Sequence, residues 1–240
     1  MHSSRRRGSA RIGSLERVSA RLVFPESDSA RDLLTFASRV TRLGDEAVRL
    51  VAASGVLVVT AAPLAPRGLL DATPTVLGMR VLAVDPELAC DLVVRAETLA
   101  PALGDDRAVT LPDSAVSAAW AGISPPRAGW AQTGTIAAAT LATRAQYGIA
   151  AVAESVPTDA GEDAVRAVRA RVWGAPDDAL SGLPLGAAFA AFALGFIGGE
   201  EQAVVRTAGT WTRVTLRRGH VLVRGPVRSG LTAVRPTGTL

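Results

Sequence analysis

The chain has 240 residues, 48% of them hydrophobic but only 4% aromatic, so a core built mainly from Ala, Val and Leu is expected and wholesale disorder is excluded. All 26 basic residues are arginine, set against 22 acids for a net charge of +4. The single cysteine, Cys90, excludes an internal disulfide and any cysteine-based metal site.

The absence of lysine, with so much Ala, Val, Gly and Pro, reads first as the coding bias of a high-GC genome and only second as selection for guanidinium chemistry. A lone thiol fits a reducing cytoplasm. Residues 1–8 begin like a charged n-region, but no apolar h-region follows, so no signal peptide is expected. Charge is segregated along the chain. Residues 1–22 carry six arginines and one acid, and residues 202–240 carry seven arginines and no acid. The stretch between them holds thirteen arginines and twenty-one acids, a net −8. Basic ends on an acidic body can engage phosphates, an acidic protein surface or the protein's own acidic body.

In chain order, residues 1–18 read as a basic mobile tail. Residues 21–24 form a short strand stopped by Pro25. A helix follows, capped by Ser27 or Ser29, with Asp28 and Asp32 in its first turn and an apolar stripe of Leu33, Phe36, Ala37 and Val40. Gly44 supplies a left-handed stop. Residues 47–53 and 55–62 are strands either side of Ser54-Gly55. Val56-Leu57-Val58-Val59 is apolar throughout, as expected for a strand covered on both faces. Pro63 to Gly68 breaks it. Residues 76–84 make another strand, residues 91–99 suit either strand or helix, and residues 107–111 form one more strand. This block reads as a largely antiparallel meander.

Residues 114–120 suggest a short helix. The run 123–130 holds two prolines and excludes regular structure. Residues 135–155 predict a long alanine-rich helix ended by Pro157. Asp159 and Glu162 suggest a capping box for a helix over 161–173, with a stripe of Val165, Val168 and Val172. Residues 180–199 are the most apolar stretch. Pro184, the dominance of small residues, and acids at both flanks without an arginine anchor favour a buried central helix over a membrane span. Strands at 202–207, 210–217 and 220–225 close the pattern, the last two forming a hairpin turning at Arg218-Gly219. Residues 226–240 read as a loose tail.

Little of this carries recognisable chemistry. There is no phosphate-binding glycine loop, no HExxH and no GxSxG. His2 and His220 are the only histidines, and His2 falls in the tail. His220 can be read as a base or a partner contact, but an ordinary sheet histidine is the plainer reading. The carboxylate pairs Asp45-Glu46, Asp105-Asp106, Asp177-Asp178 and Glu200-Glu201 sit beside turn residues, where solvated caps explain them better than a metal or an acid–base pair. Thr133-Gly134-Thr135 could hold a phosphate at a helix start, but fits capping equally. No catalytic residue, metal or cofactor is assigned.

The hairpin is the best candidate site. Val214 and Leu216 point one way, and Trp211, Arg213, Thr215 and Arg217 the other, while Arg218, His220 and Arg224 complete the set. Arginines beside a tryptophan can grip phosphates or an acidic protein surface. The same arginines also suit the solvated face of an antiparallel sheet, where they discourage edge pairing.

Ile123-Ser124-Pro125-Pro126-Arg127-Ala128-Gly129-Trp130, Val172-Trp173-Gly174, the run Leu183 to Ala190 and the hairpin Trp211 to Arg224 together resemble a family of uncharacterised cytoplasmic proteins from actinobacteria. The resemblance covers most of residues 20–225. It implies a lineage and no established activity, hence no catalytic residues.

The expectation is therefore an α+β fold. An antiparallel sheet packs against a cluster of helices and ends in a C-terminal β-hairpin, all in a single domain over residues 19–225. The leading function is an interaction protein that meets an acidic protein surface, or its own acidic body, through that hairpin. The rivals are nucleic-acid binding through the same arginines and an enzyme of unrecognised type with His220 or a carboxylate pair in a pocket.

Overall fold

A computed structural model describes residues 21–44, 47–68 and 70–225. The expected basic tail, C-terminal tail and Asp45-Glu46 pair lie outside these residues.

The N-terminal half opens with β1 (Arg21–Val23) and α1 (Ser27–Arg42). The apolar stripe of α1 is buried as its spacing requires: Ala30, Leu33, Phe36, Ala37 and Val40. Its N-cap is Glu26, without a side-chain cap, rather than Ser27 or Ser29. The helix starts one step earlier than the serines suggest, so Ser27 lies inside it, where its hydroxyl accepts from Arg31 instead. Gly44 has φ +75°, the left-handed stop expected.

Next comes a meander of β2 (Ala47–Ala53), β3 (Val56–Leu64) and β4 (Thr75–Ala83). Ser54 and Gly55 both have positive φ, the two-residue turn that matches strand twist. Pro63 does not end β3. The register shifts between Ala61 and Leu64, and this irregularity absorbs the missing donor. The ambiguous stretch resolves into both elements: β5 (Cys90–Arg95), then a 3-10 turn at Ala96–Thr98. β6 (Ala100–Ala102) and β7 (Asp105–Thr110) turn at Gly104 and join β1 in a small sheet ordered β1-β7-β6. Pro101 hid β6 from sequence reading.

Residues 114–120 are not a helix; a single 3-10 turn spans Ala119–Gly122. The predicted helix at 135–155 is shorter at its start. Residues Ala131–Ala137 are strand β8, and α2 runs Ala138–Ser155. The error is physical: small polar residues and one isoleucine carry no strand period, and β8 exists because β9 pairs with it. α3 (Glu162–Gly174) is capped at Gly161 without the expected capping box. Its valines are half-buried, and Trp173 is its fully seated residue. α4 (Leu185–Ala193) is the buried central helix. β9 (Gln202–Ala208), β10 (Trp211–Leu216) and β11 (Gly219–Arg224) complete the chain. Among the described residues no helix is long and apolar enough to cross a membrane.

All but the small sheet's strands join in one antiparallel sheet ordered β5-β2-β3-β4-β11-β10-β9-β8. Each half runs strand, helical segment, three-stranded meander, and the final strands of the two meanders, β4 and β11, pair side by side. The helices cover one face, called the inner face here. Small residues let them approach closely. At Gly78 of β4 a Cβ would sit 1.9 Å from Leu194 Cδ1, and at Gly148 of α2 one would sit 2.2 Å from the Trp173 ring. Trp173 stacks on Phe189 at 4.2 Å between ring centres, and Phe36 on Phe196 at 6.2 Å.

Arginines tie the halves together on this side. Arg39 of α1 donates to the Leu194 carbonyl at the end of α4 (2.8 Å), and Arg169 of α3 donates to the Leu43 carbonyl at the end of α1 (3.0 Å). Each satisfies an orphan carbonyl at a helix C-terminus, where the dipole also favours positive charge. Arg80 of β4 pairs with Asp32 and donates to the Arg218 carbonyl in the hairpin loop.

Candidate binding face

The register of β10 and β11 fixes the hairpin. Leu216 faces Gly219, so the loop is Arg217-Arg218, one residue earlier than expected. Gly219 is the first residue of β11, and a Cβ there would meet the Phe196 ring at 2.5 Å, so a side chain has no room. Alternation places Val214, Leu216, Val221 and Val223 in the main core, on the helix side. Trp211, Arg213, Thr215, His220, Leu222 and Arg224 point to the opposite, outer face.

That face is not bare. The segment joining the halves lies across it, and Trp120 packs with Ala62, Leu77, Trp211 and Leu222, with Ala118, Ala121, Ile123 and Trp130 against them. Trp211 is therefore buried at 6% exposure rather than on an open face. Sequence could not show it, because the covering residues lie about 90 positions away. Arg49 pins the segment. Its guanidinium donates to both Asp91 carboxylate oxygens at 2.8 Å and to the Ala121 carbonyl at 2.6 Å, and the salt bridge raises its own pKa and lowers that of Asp91.

The other candidates separate. Arg213 is half-buried with its guanidinium 4.5 Å over the Trp130 ring. Directly across the strand pair stands Arg206 of β9, and on the far side of Arg206 stands Gln132 of β8. Arg213 Nε is buried with no acceptor among the described residues. Burial, and then Arg206, pull the Arg213 pKa below its ordinary value. His220 lies in the next row, its Nδ1 3.1 Å from Thr215 Oγ1. Burial first, then Arg213 and Arg206, depress its pKa and keep the ring neutral. Arg217 and Arg218 sit apart in the exposed loop. The Arg217 N–H donates to Glu201 at 2.9 Å and its guanidinium lies 3.7 Å from the same carboxylate, so the acidic body does supply one partner. Arg218 lends its carbonyl to Arg80, and its side chain crosses Gly198. Arg224 is half-buried opposite Trp211 and Thr75. The structure thus brings Arg213 and His220 together with Arg206, Gln132 and Trp130, and places Arg217 and Arg218 elsewhere.

A second feature of the outer face went unread. Val51, Val58 and Val81 stand side by side across β2, β3 and β4, and Ala53, Val56 and Ala83 form the next row. The run from Val56 was expected to be covered on both faces, yet Val56 is 42% and Val81 47% exposed. The joining segment stops short of these rows. Val51 lies opposite Asp91, whereas Met79, two residues from Val81, lies opposite His220.

The remaining sequence candidates have structural roles. Asp177 is buried and paired with Arg144, and Asp105 accepts from the Arg107 N–H. Thr133-Gly134-Thr135 lies in β8, not at a helix start, with Thr133 Oγ1 3.5 Å from the Val205 carbonyl. Two shallow grooves, one along Asp71–Pro74 and α3, the other along the start of α1, contain neither His220 nor the sequence-read carboxylate pairs. Among the described residues no group of three His, Cys, Asp or Glu side chains is placed to hold a metal.

Comparison with known proteins divides the chain where the joining segment lies. No curated protein matches it. Two solved structures show a weak similarity to it. One is the DNA polymerase sliding clamp from Caulobacter crescentus (14% identity, 92% of this chain, 69% of that chain, TM-score 0.44). The other is Caulobacter crescentus pol III beta (12% identity, 87% of this chain, 66% of that chain, TM-score 0.44). The chain spans about two thirds of the length of each. Residues 18–122 match one domain of unknown function, DUF8010, and residues 125–228 match another, DUF8185. In keeping with the uncharacterised family it resembles, the chain is similar over two successive stretches to two domains of unknown function, and both stretches contribute strands to one sheet.

Proposed function

We propose that this chain is a cytoplasmic binding protein that docks a protein partner on the outer face of its sheet. The observation that carries the reading is the row Val51, Val58 and Val81, in register on three neighbouring strands, with Val81 and the adjoining Val56 exposed and Val51 and Val58 half-buried between them. Scattered exposed valines mean nothing, but two adjoining rows form a continuous apolar patch. Arg49 and Asp91 border the patch on one side and His220 on the other, with Arg213 and Arg206 one row further on. An apolar centre with an arginine-rich margin is the composition of a protein interface. The two arginines call for carboxylates or other anions on the partner.

Nucleic acid is the rival occupant. It would draw on Arg213, but Arg217 and Arg218 occupy the loop rather than the same face, so the three do not form one track. An apolar patch is also of no use to a phosphate backbone.

The test is a photo-crosslinking amino acid placed at Val81 and, as a control, at the exposed Gln146 of α2. A discrete protein adduct is expected from position 81 alone, and it should disappear when Val58→Asp is added. Equal adducts from both positions, or an adduct to nucleic acid, would overturn the reading.

A further inference from the structure

The cationic end of the outer face has features that protein docking alone does not explain. Arg206 and Arg213 are directly opposed across β9 and β10. Like charges at directly opposed positions destabilise a strand pair. Neither arginine has a carboxylate partner among the described residues, although ion pairs such as Arg49–Asp91, Arg80–Asp32 and Arg144–Asp177 occur elsewhere among them. The chain has nearly as many acids as arginines, so a partner was available to selection. The Arg213 Nε–H is buried without an acceptor among the described residues, a cost that a native structure normally avoids. Trp130 stacks on the guanidinium, holding it in place without neutralising it. On either side of this pair stand further hydrogen-bonding groups, the Gln132 amide beside Arg206 and the His220–Thr215 pair in the adjoining row.

We propose that Arg206 and Arg213, with Gln132 and His220 beside them, form a binding site for a phosphate monoester, carried by a phosphorylated side chain of the protein partner. The charge count selects the ligand. Two guanidinium groups are matched by the roughly −1.5 to −2 of a phosphorylated serine, threonine or tyrosine, whereas one carboxylate or one phosphodiester supplies a single charge. A phosphate also has three acceptor oxygens, enough to take the forked N–H groups of both arginines at once. The source follows from the neighbourhood. The site is a compact pair with an apolar patch nearby, which suits one modified residue on a folded surface or peptide better than a repeating backbone. In identifying the source, the inference rests on the protein-docking reading; the phosphate site itself does not.

The experiment uses the full chain without any partner, so its failure would leave the valine patch untouched. The indole N–H of Trp130 and the ring of His220 are followed by NMR during titration with inorganic phosphate, O-phosphoserine, acetate and dimethyl phosphate at constant ionic strength. Saturable shifts are expected with the first two, with affinity about tenfold weaker for the singly charged pair. Arg206→Gln should abolish them while leaving the Trp130–Arg213 stack, and the rest of the spectrum, in place. The thermal midpoint of the unaltered chain should also rise with phosphate. No saturable shift up to tens of millimolar phosphate would overturn the site. An equal or stronger response to dimethyl phosphate and to a single-stranded oligonucleotide would overturn the assignment to a phosphorylated protein.

Discussion

The two faces of the eight-stranded sheet are made from the same strands, yet they are finished differently. The inner face is sealed by α1 and α4, whose Leu33, Phe36, Ala188 and Ala190 are 2% exposed or less. The outer face has one irregular segment laid across part of it, and beyond that segment valines and arginines remain open. One face holds the fold together, and the other is finished only as far as stability needs.

The sharpest way to break this contrast is to remove packing from each face in turn. Phe36→Ala empties a site that joins the halves through Phe196 and should cost about 3–5 kcal/mol in urea unfolding. Trp120→Ala on the outer face should cost less, about 2 kcal/mol, while exposing Trp211 to a fluorescence quencher. Equal costs would mean that the joining segment is a structural layer on a par with the helices.

The next effect is in pH. Burial and neighbouring arginines depress the folded pKa of His220 below 6.5, so the unfolded chain binds more protons once pH falls below that value. Stability contributed by the neutral ring is therefore full above about pH 6.5 and declines as pH drops toward the folded pKa. His220→Gln should flatten that part of the stability profile, and an unchanged slope would show that other groups set it. The smallest effect is a gain. Arg206→Thr removes the opposed like charge and should stabilise the chain by roughly 0.2–1 kcal/mol in phosphate-free buffer.

Much of the architecture could be read from residue order. The period of Leu33, Phe36 and Val40 marks α1, the alternation of Trp211 to Leu216 assigns the faces of β10, and the small residues of 185–193 mark a buried helix. β8 was not legible, because its strand character comes from β9 rather than from Ala131 to Thr135 themselves. The site was half legible. Arg213 and His220 announce themselves beside Trp211, but the partners that give them meaning are Arg206 across the pair and Trp130 from the joining segment. The exposure of Val56 and Val81 is a property of where that segment stops, which no local pattern records.

The pairing of β4 with β11 has a consequence for how the chain is made. The partner of Met79 is His220, so roughly 140 further residues must be synthesised before β4 gains its second neighbour, a wait of roughly ten to thirty seconds on a ribosome. Throughout that time a strand bearing Val76, Leu77 and Leu82 stands at an open edge, and for most of it α4 is not yet present to cover it. An emerging chain is therefore most exposed to misassembly while the stretch matching its second domain, residues 125–228, is being made. Truncation within residues 123–218 should send it to chaperones or aggregates rather than to a smaller folded product.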